Sequence, residues 1–417
     1  MYIFRYLIVV FHFLSFPVLS QIDSIHIVLD EYDKVQELSD LNERNYKLFN
    51  LSSEWMGLIN SKFFTYPINE THSLKEIKSA DGKFTVYYFI HPDRDNLPKV
   101  ELFITSSDSI FKKPYHFSET LPIKRNVKKD QDVSKFKMNI FINRIQNIDL
   151  YELQLTENNN PIILYKYSDI YLKLLFENMA LNNDLNEKLK LNDAITNRLR
   201  SLLSVKEDFN NRFESINRMS TLISEDDKLK ICTWNIEKED ATHNFYGLIV
   251  LNHTKSDLEI FPLIDVTEKL RSPERSSLTP QKWYGAIYYD IIETSYKKNT
   301  YYTLLGFKGN DEFTKIKVLD ALTILSNGNI RFGTNIFNKN PGYTNRIIYE
   351  YSSNANMMLR YDKNLKMIVM DNLAPSSNLY RNVYRFYGPD FSYNGYKFEK
   401  GKWMLYLDLD LRNPKEQ

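Results

Sequence analysis

Two segments of this chain align with each other without a gap: LKEIKSADGKFTVYYFI at positions 74–90 and MSTLISEDDKLKICTWN at positions 219–235. Apolar residues match apolar residues along both segments. Three polar residues are identical, with Ser79, Asp81 and Lys83 matching Ser224, Asp226 and Lys228. The two segments start about 145 positions apart, whereas the repeating units of a solenoid run about 20–50 residues. We therefore interpret the chain as containing duplicated domains.

Each aligned segment follows a stretch with helical periodicity. Apolar residues recur every three to four positions, roughly, in 22–60 and again in 169–203, and runs typical of strands follow both stretches. The pattern predicts an α+β fold of two tandem copies, each a helical segment plus an antiparallel β-meander, with the second copy extended by a further all-β meander. The predicted boundaries are a signal peptide at 1–20, copies at 21–168 and 169–309, and a β-rich C-terminal extension at 310–417 packed on the second copy.

The identical residues form a Ser-x-Asp-x-Lys motif in each segment. A ligand site is one interpretation of this motif. A turn is the other, because Asp side chains accept hydrogen bonds from nearby backbone amides. The position of each motif between two apolar-rich runs favours the turn.

Composition excludes several classes of protein. The 417 residues include 54 basic and 53 acidic side chains, so no overall field would draw the chain to nucleic acid. The 29 tyrosines and 26 phenylalanines favour strands, since broad side chains fit a pleated surface. Cys232 is the single cysteine, which precludes an intrachain disulfide, and we expect a buried, inert thiol.

The first twenty residues have the layout of a signal peptide. Arg5 supplies a positive charge, Leu7–Leu19 is almost wholly apolar, and Val18 and Ser20 occupy the two small-residue positions before Gln21. An uncleaved membrane anchor is the alternative, but the apolar run of about 14 residues is shorter than the roughly 20 that span a bilayer. We expect an exported protein, periplasmic or extracellular, with no transmembrane segment in the mature chain.

Several blocks of the C-terminal half resemble a known group of proteins. The blocks are SEDDK at 224–228 with Trp234, RIIYEY at 346–351, LRYD at 359–362, YGPD at 387–390, GKW at 401–403 and DLDLRN at 408–413. Over residues 215–417 the chain resembles exported Bacteroidota proteins of unknown function. The resemblance implies export in a Gram-negative envelope, assigns no activity and carries over no catalytic residue.

Asp390, Asp408 and Asp410 are the candidate catalytic residues. A predicted strand over 403–411 places Asp408 and Asp410 on one face, about 7 Å apart. Two carboxylates at such a spacing suit inverting glycoside hydrolysis, and a solvated strand face is the alternative. Asp390 opens a segment that matches the start of a calcium loop, but Gly401 stands where the loop needs a carboxylate, so no metal site is predicted. No cofactor is predicted either, because the sequence has no phosphate-binding or dinucleotide motif.

Ten aromatic residues lie between positions 380 and 406, and Tyr393, Trp403 and Tyr406 are the candidate binding residues among them. Aromatic clusters bind sugars or protein partners, and sheet packing is the alternative. We expect a non-catalytic binding or scaffold protein of the cell envelope, whose partner is an envelope protein or a glycan. The alternative is a hydrolase that acts on glycans or peptides through the three aspartates. A purely structural surface protein is a third hypothesis.

Overall fold

The computed structural model describes residues 27–35, 38, 41–59, 74–92, 98–107, 111, 115–120, 136–145, 148–157, 160–163, 170–206, 209–214, 216–253, 258–339 and 341–410. The predicted signal peptide at 1–20 lies outside these residues. Contacts divide the chain into two units. The first comprises Met1–Arg144 and Asp149–Leu174, and the second comprises Ile145–Ile148 and Leu175–Gln417.

Helices and two sheets make up the first unit. Its elements are α1 (27–35), α2 (Leu41–Ile59), β1 (Lys75–Lys78), β2 (Phe84–Pro92), β3 (Pro98–Ser106), β4 (Tyr115–Thr120), β5 (Phe136–Ile145), β6 (Ile148–Glu157), β7 (Asn160–Ile163) and the start of α3 (Ile170–Leu181). The sheet orders are β1-β2-β3-β4 and β5-β6-β7. The helices cover β2 through aromatic contacts. Tyr32 lies edge-on to Phe89 with ring centroids 5.2 Å apart, and Trp55 contacts Tyr87 in the same way at 5.6 Å.

The second unit is built mainly of strands. After the end of α3 come α4 (Leu185–Leu203), β8 (Ser220–Ile223), β9 (Leu229–Glu237), β10 (His243–Leu251), β11 (Glu259–Ile264), β12 (Ile287–Tyr296), β13 (Asn299–Gly309), β14 (Thr314–Ile324), β15 (Ile330–Phe332), β16 (Phe337–Asn338), β17 (Tyr343–Thr344), β18 (Arg346–Ser352), β19 (Leu359–Asp362), β20 (Met367–Pro375), β21 (Tyr387–Glu399) and β22 (Lys402–Tyr406). The sheet orders are β11-β10-β9-β8, then β12-β13-β14-β15 with β18 paired to β14, and β17-β16-β22-β21-β20-β19.

The first Ser-x-Asp-x-Lys motif is the turn of a hairpin between β1 and β2. Ser79 Oγ donates to Asp81 Oδ1 at 2.6 Å, and the same carboxylate oxygen accepts from the Lys83 backbone N at 3.0 Å. Phe84 N donates to Ser79 Oγ at 2.9 Å. Gly82 has a positive φ of 69°, which glycine adopts without strain. The turn interpretation is therefore confirmed for this copy.

The second motif has the same hydrogen bonds between β8 and β9. Ser224 Oγ donates to Asp226 Oδ1 at 2.7 Å, and Leu229 N donates to Ser224 Oγ at 3.0 Å. This turn is also fixed to the next sheet, because Tyr302 Oη donates to Asp226 Oδ2 at 2.9 Å and Asp226 N donates to Glu293 Oε2 at 3.0 Å. The motif thus has a structural explanation in both segments.

The predicted α+β fold class is wrong, because the described residues form a mostly β structure. The central sheet of the second unit is covered by strands on both faces instead of by helices. Leu304 and Val318 enter one core with residues of β9 and β10, whereas Leu305 and Leu319 enter a second core with residues of β20 and β22. Alternate residues of one strand point to opposite faces, so both faces of this sheet are apolar. Sheets covering sheets leave little apolar surface for helices to bury.

Cys232 is buried in β9, as expected, and burial raises the pKa of its thiol, which disfavours the reactive thiolate. No helix among the described residues is long and apolar enough to cross a membrane.

Lys308 on β13 is a buried cation in the first of these cores, 3% exposed. Its Nζ donates to Thr267 Oγ1 at 2.8 Å and lies 4.1 Å from the ring centroid of Tyr284 and 4.6 Å from that of Phe245. Burial lowers the pKa of Lys308 from 10.5 to about 8, against an opposing effect of Asp265. The aromatic faces attract the cation without replacing its lost hydration.

The lowered pKa predicts a pH-dependent stability. Between about pH 8 and pH 10.5 the unfolded chain holds a proton on Lys308 that the folded chain has released, so the free energy of unfolding rises with pH. The contribution is at most about 3.5 kcal/mol, since the pKa falls from 10.5 to about 8 and each pKa unit corresponds to about 1.4 kcal/mol. We expect Lys308→Met to reduce the rise measured by urea unfolding from about pH 7 to about pH 9.5. The matched control is Lys282→Met, at an exposed lysine. Identical pH profiles for wild type and Lys308→Met would contradict the assignment.

Candidate binding surface

The loop between β20 and β21, together with a bulge in β21, exposes apolar side chains to solvent. Leu379 is 88% exposed and Phe391 is 91% exposed, while Tyr380, Val383 and Tyr384 are each about 40% exposed. We call these five residues the aromatic loop surface. Large side chains this exposed and this close in sequence are typical of an interaction site, whereas singly scattered ones need no explanation.

The loop that carries this surface is held by its own contacts. Two short 3-10 helices, Asn378–Tyr380 and Tyr384–Phe386, follow each other in it. The rings of Tyr380 and Phe386 stack with centroids 4.1 Å apart, and Asn382 N donates to Tyr387 Oη at 3.0 Å. Ser376 N donates to Phe386 O at 2.9 Å and closes the base of the loop. A surface fixed before binding loses less conformational entropy when a partner docks.

Two arginines lie among the apolar side chains. Arg381 is exposed, and so is Arg385, whose guanidinium carbon lies 4.9 Å from the ring centroid of Phe386 and 6.0 Å from that of Phe313. Phe313 is itself more than half exposed and extends the apolar area beside the loop. Tyrosine and arginine are the residue types that contribute most to binding at protein interfaces. The surface therefore combines apolar anchors with positive charge.

Phe391 stands at the tip of a bulge with a positive φ of 68°, a strained conformation for a bulky residue. Asp390–Ser392 oppose the single residue Asn372, since the register shifts at this point between β20 and β21. Asp390 holds the bulge: its Oδ1 accepts from Ser392 N and Ser392 Oγ at 3.0 and 2.7 Å, and its Oδ2 accepts from Asn372 Nδ2 at 2.7 Å. Strained backbone persists where surrounding contacts enforce it, and it concentrates at functional positions.

The three candidate catalytic aspartates do not share a strand. β22 ends at Tyr406, so the strand prediction is wrong over 407–410: Asp408 lies at a bend with a φ of 54° and Asp410 follows it. Pairing with β21 becomes irregular here, because Asp408 N donates to the Asn394 side chain at 3.2 Å and Leu409 N then donates to Tyr393 O at 2.7 Å. Asp390, Asp408 and Asp410 are all exposed. Among the residues that the structure describes, no group of three or more His, Cys, Asp or Glu side chains could hold a metal ion.

The surroundings of Asp390 do not suit a general acid. Burial acts to raise the pKa of its carboxyl, but hydrogen bonds from Ser392 and Asn372 outweigh burial and lower the pKa below its ordinary value. A glycosidase acid needs a raised pKa, so that the carboxyl carries a proton near neutral pH. Asp390 thus has a structural role in the bulge.

The candidate binding residues occupy three different environments. Trp403 is fully buried, and its Nε1 donates to Thr303 Oγ1 at 2.9 Å, so its side chain packs the core rather than a surface. Tyr393 is half-buried on β21. Tyr406 is exposed, and its Oη donates to Glu399 Oε1 at 2.9 Å. Sequence reasoning included Tyr380, Tyr384 and Phe391 in the aromatic cluster but missed Leu379 and Val383.

Comparison with known proteins adds no family. No protein-family model matches this chain, and no curated protein matches it either. The chemistry of the exposed side chains is therefore what supports a function.

Proposed function

We propose that this protein is an exported, non-catalytic binding protein of the cell envelope that docks another protein through the aromatic loop surface. The observation that carries the proposal is the exposure of two large apolar side chains that are near each other in sequence. Leu379 is on a loop held by its own stacked rings, and Phe391 is on the bulge of β21. Export rests on the signal-peptide pattern at 1–20 and on the resemblance of residues 215–417 to exported Bacteroidota proteins.

The side chains of the surface favour a protein partner over a glycan. Sugars bind by stacking on flat aromatic rings, a role that the aliphatic Leu379 and Val383 cannot fill. Apolar anchors of mixed shape surrounded by polar groups are typical of protein interfaces. Arg381 and Arg385 add positive charge, so the complementary partner surface is apolar at its centre and acidic at its edge.

A double variant tests this proposal. We expect Tyr384→Ala combined with Phe391→Asn to weaken partner binding at least about 30-fold, which corresponds to about 2 kcal/mol for lost interface anchors. Asparagine is chosen at position 391 because it tolerates a positive φ. The measurement is recovery of cross-linked envelope proteins by wild type and by the variant, from cells that express the protein, with thermal melting to verify that the variant is folded.

The matched control is Tyr343→Ala, which removes a similarly exposed tyrosine outside the aromatic loop surface. A partner recovered by wild type and by the control, but lost with the double variant, supports the proposal. Equal recovery by all three proteins would place the interface elsewhere and contradict it.

A further inference from the structure

A cavity of about 430 Å³ lies within the second unit, away from the aromatic loop surface in sequence. The end of α3, the side of α4, the segment before β8, the end of β9 and the start of β12 form it. Its lining residues are Met179, Ala180, Lys188, Asn217, Arg218, Met219, Ser220, Asn235, Ile236, Glu237 and Ile287. The volume falls within the range of about 300–1,000 Å³ that is usual for small-molecule sites.

The apolar part of the lining comes from buried side chains. Met179, Met219 and Ile236 are buried, and Ile287 is half-buried. Methionine side chains are flexible and polarizable, so two of them can adapt to apolar groups of different shapes. This part of the cavity suits an aliphatic or thioether side chain.

Charged groups of both signs stand at the cavity. Lys188 Nζ donates to the backbone O of Glu237 at 3.0 Å, which brings this ammonium next to β9. Arg218 is half-exposed, with its Nε 3.4 Å from Glu177 Oε2. Glu237 supplies the one carboxylate among the described residues that line the cavity, and it is exposed. The lining thus offers two cations and one anion, a pattern suited to a ligand that carries both charges.

A hydrogen bond fixes the polar wall. Asn235 Nδ2 lies 2.7 Å from His243 Nδ1 and donates to it when that nitrogen is unprotonated. Burial is the main cause that lowers the pKa of His243, which keeps the ring neutral and able to accept this bond near neutral pH. Asn217, Asn235 and Ser220 then supply amide and hydroxyl groups beside the charged ones. Polar groups fixed in this way can select the orientation of a ligand.

We propose that this cavity binds a zwitterionic amino acid or dipeptide with an apolar side chain. Lys188 and Arg218 pair with its carboxylate, and Glu237 pairs with its ammonium group. The methionines and Ile236 contact its side chain. The site goes beyond docking of a protein through the aromatic loop surface and shares no residue with it, so either proposal can fail alone.

Calorimetry on the full chain with four probes tests the ligand class. We expect L-leucine or the dipeptide L-methionyl-L-leucine to bind with a Kd of about 1 mM or tighter. N-acetyl-L-leucine lacks the ammonium and L-leucinamide lacks the carboxylate, so each should bind at least about tenfold more weakly than L-leucine. Equal binding of all four probes, or no saturable binding of any, would overturn the proposal.

Variants that remove one charge each test which side chain of the cavity pairs with which charged group of the ligand. Arg218→Gln should weaken the dipeptide at least about tenfold, and Glu237→Gln should remove the preference for L-leucine over N-acetyl-L-leucine. Both residues are exposed, so thermal melting should show little loss of stability. The matched control is Lys190→Gln, at a lysine on α4 that does not line the cavity. Variants that bind the dipeptide as wild type does would overturn the assignment, whatever the result for the aromatic loop surface.

Discussion

Asp320→Asn is expected to lower the free energy of unfolding by about 3–5 kcal/mol, because it leaves a buried arginine without its counter-ion. Asp320 on β14 and Arg346 on β18 are directly paired residues, and both side chains are 0% exposed. Arg346 Nε donates to one carboxylate oxygen at 2.8 Å and Nη2 donates to the other at 3.0 Å. Two parallel charge-assisted bonds of this kind are stronger than neutral hydrogen bonds.

Further hydrogen bonds connect this ion pair to β12, which is separated from β14 by β13 in the same sheet. Tyr288 Oη on β12 donates to Asp320 Oδ2 at 3.2 Å, and Trp283 Nε1 donates to Tyr288 Oη at 3.0 Å. Arg346 Nη1 also donates to the backbone O of Pro273. Asparagine keeps the shape of aspartate but has one acceptor oxygen instead of two and no charge. Asp320→Asn therefore weakens the hydrogen bonds of several partners at once.

Urea unfolding measures the effect, and two further variants make it interpretable. Glu187→Gln removes one partner of an exposed pair with Lys190 and should cost less than about 1 kcal/mol. The double variant Asp320→Leu with Arg346→Met removes both charges and should be more stable than Asp320→Asn alone, because no unpaired charge stays buried. A loss below about 1 kcal/mol for Asp320→Asn would show that the pair contributes little.

The sequence predicted local structure well where a short motif contains its own hydrogen bonds. The turns at Ser79 and Ser224 are of this kind, since serine and aspartate two residues apart satisfy the turn without help from elsewhere. The ion pair was missed because Asp320 and Arg346 lie 26 positions apart and meet only when β14 pairs with β18. The local sequence pattern of either strand does not indicate that the two strands pair.

The prediction of the fold class was wrong for a related physical reason. Helical periodicity in 22–60 and 169–203 predicted helices, but it does not indicate how much of the apolar surface of a sheet helices will cover. The central parts of β13 and β14, at 304–307 and 318–322, are largely apolar on both faces. This pattern indicates burial on both faces but does not show whether helices or strands form the covering layer. In the structure other sheets supply that cover on both sides. The predicted tandem α+β arrangement therefore overestimated the helices.

The exposed loop was partly predictable. Aromatic density indicated the region, but it could not separate Tyr384, which is exposed, from Tyr396 and Trp403, which are buried. Strand alternation separates such residues only where a regular ladder continues. The bulge at Phe391 and the end of β22 at Tyr406 both interrupt it.

Trp403→Ala is expected to lower the free energy of unfolding by about 3–5 kcal/mol, the usual cost of removing a large core aromatic side chain. Trp403 packs edge-on against Phe398 with ring centroids 5.3 Å apart, in a core with Phe337 and Tyr396. Its backbone N donates to Ile336 O at 2.8 Å, so β22 also connects β16 to β21 within the sheet. Alanine would leave a cavity that the surrounding strands can fill only by moving.

Two comparisons separate this core role from a binding role. Trp403→Phe keeps a ring but loses the indole donor to the buried Thr303, so it should cost less than Trp403→Ala and still about 1–3 kcal/mol. Tyr406→Ala, at an exposed tyrosine, should cost under about 1 kcal/mol. Urea unfolding gives the three losses. If Trp403→Ala were nearly neutral in stability, the indole would not be a core residue. Trp403→Phe is expected to reduce stability without changing the binding surface. We therefore expect folded Trp403→Phe protein to bind the partner as wild type does.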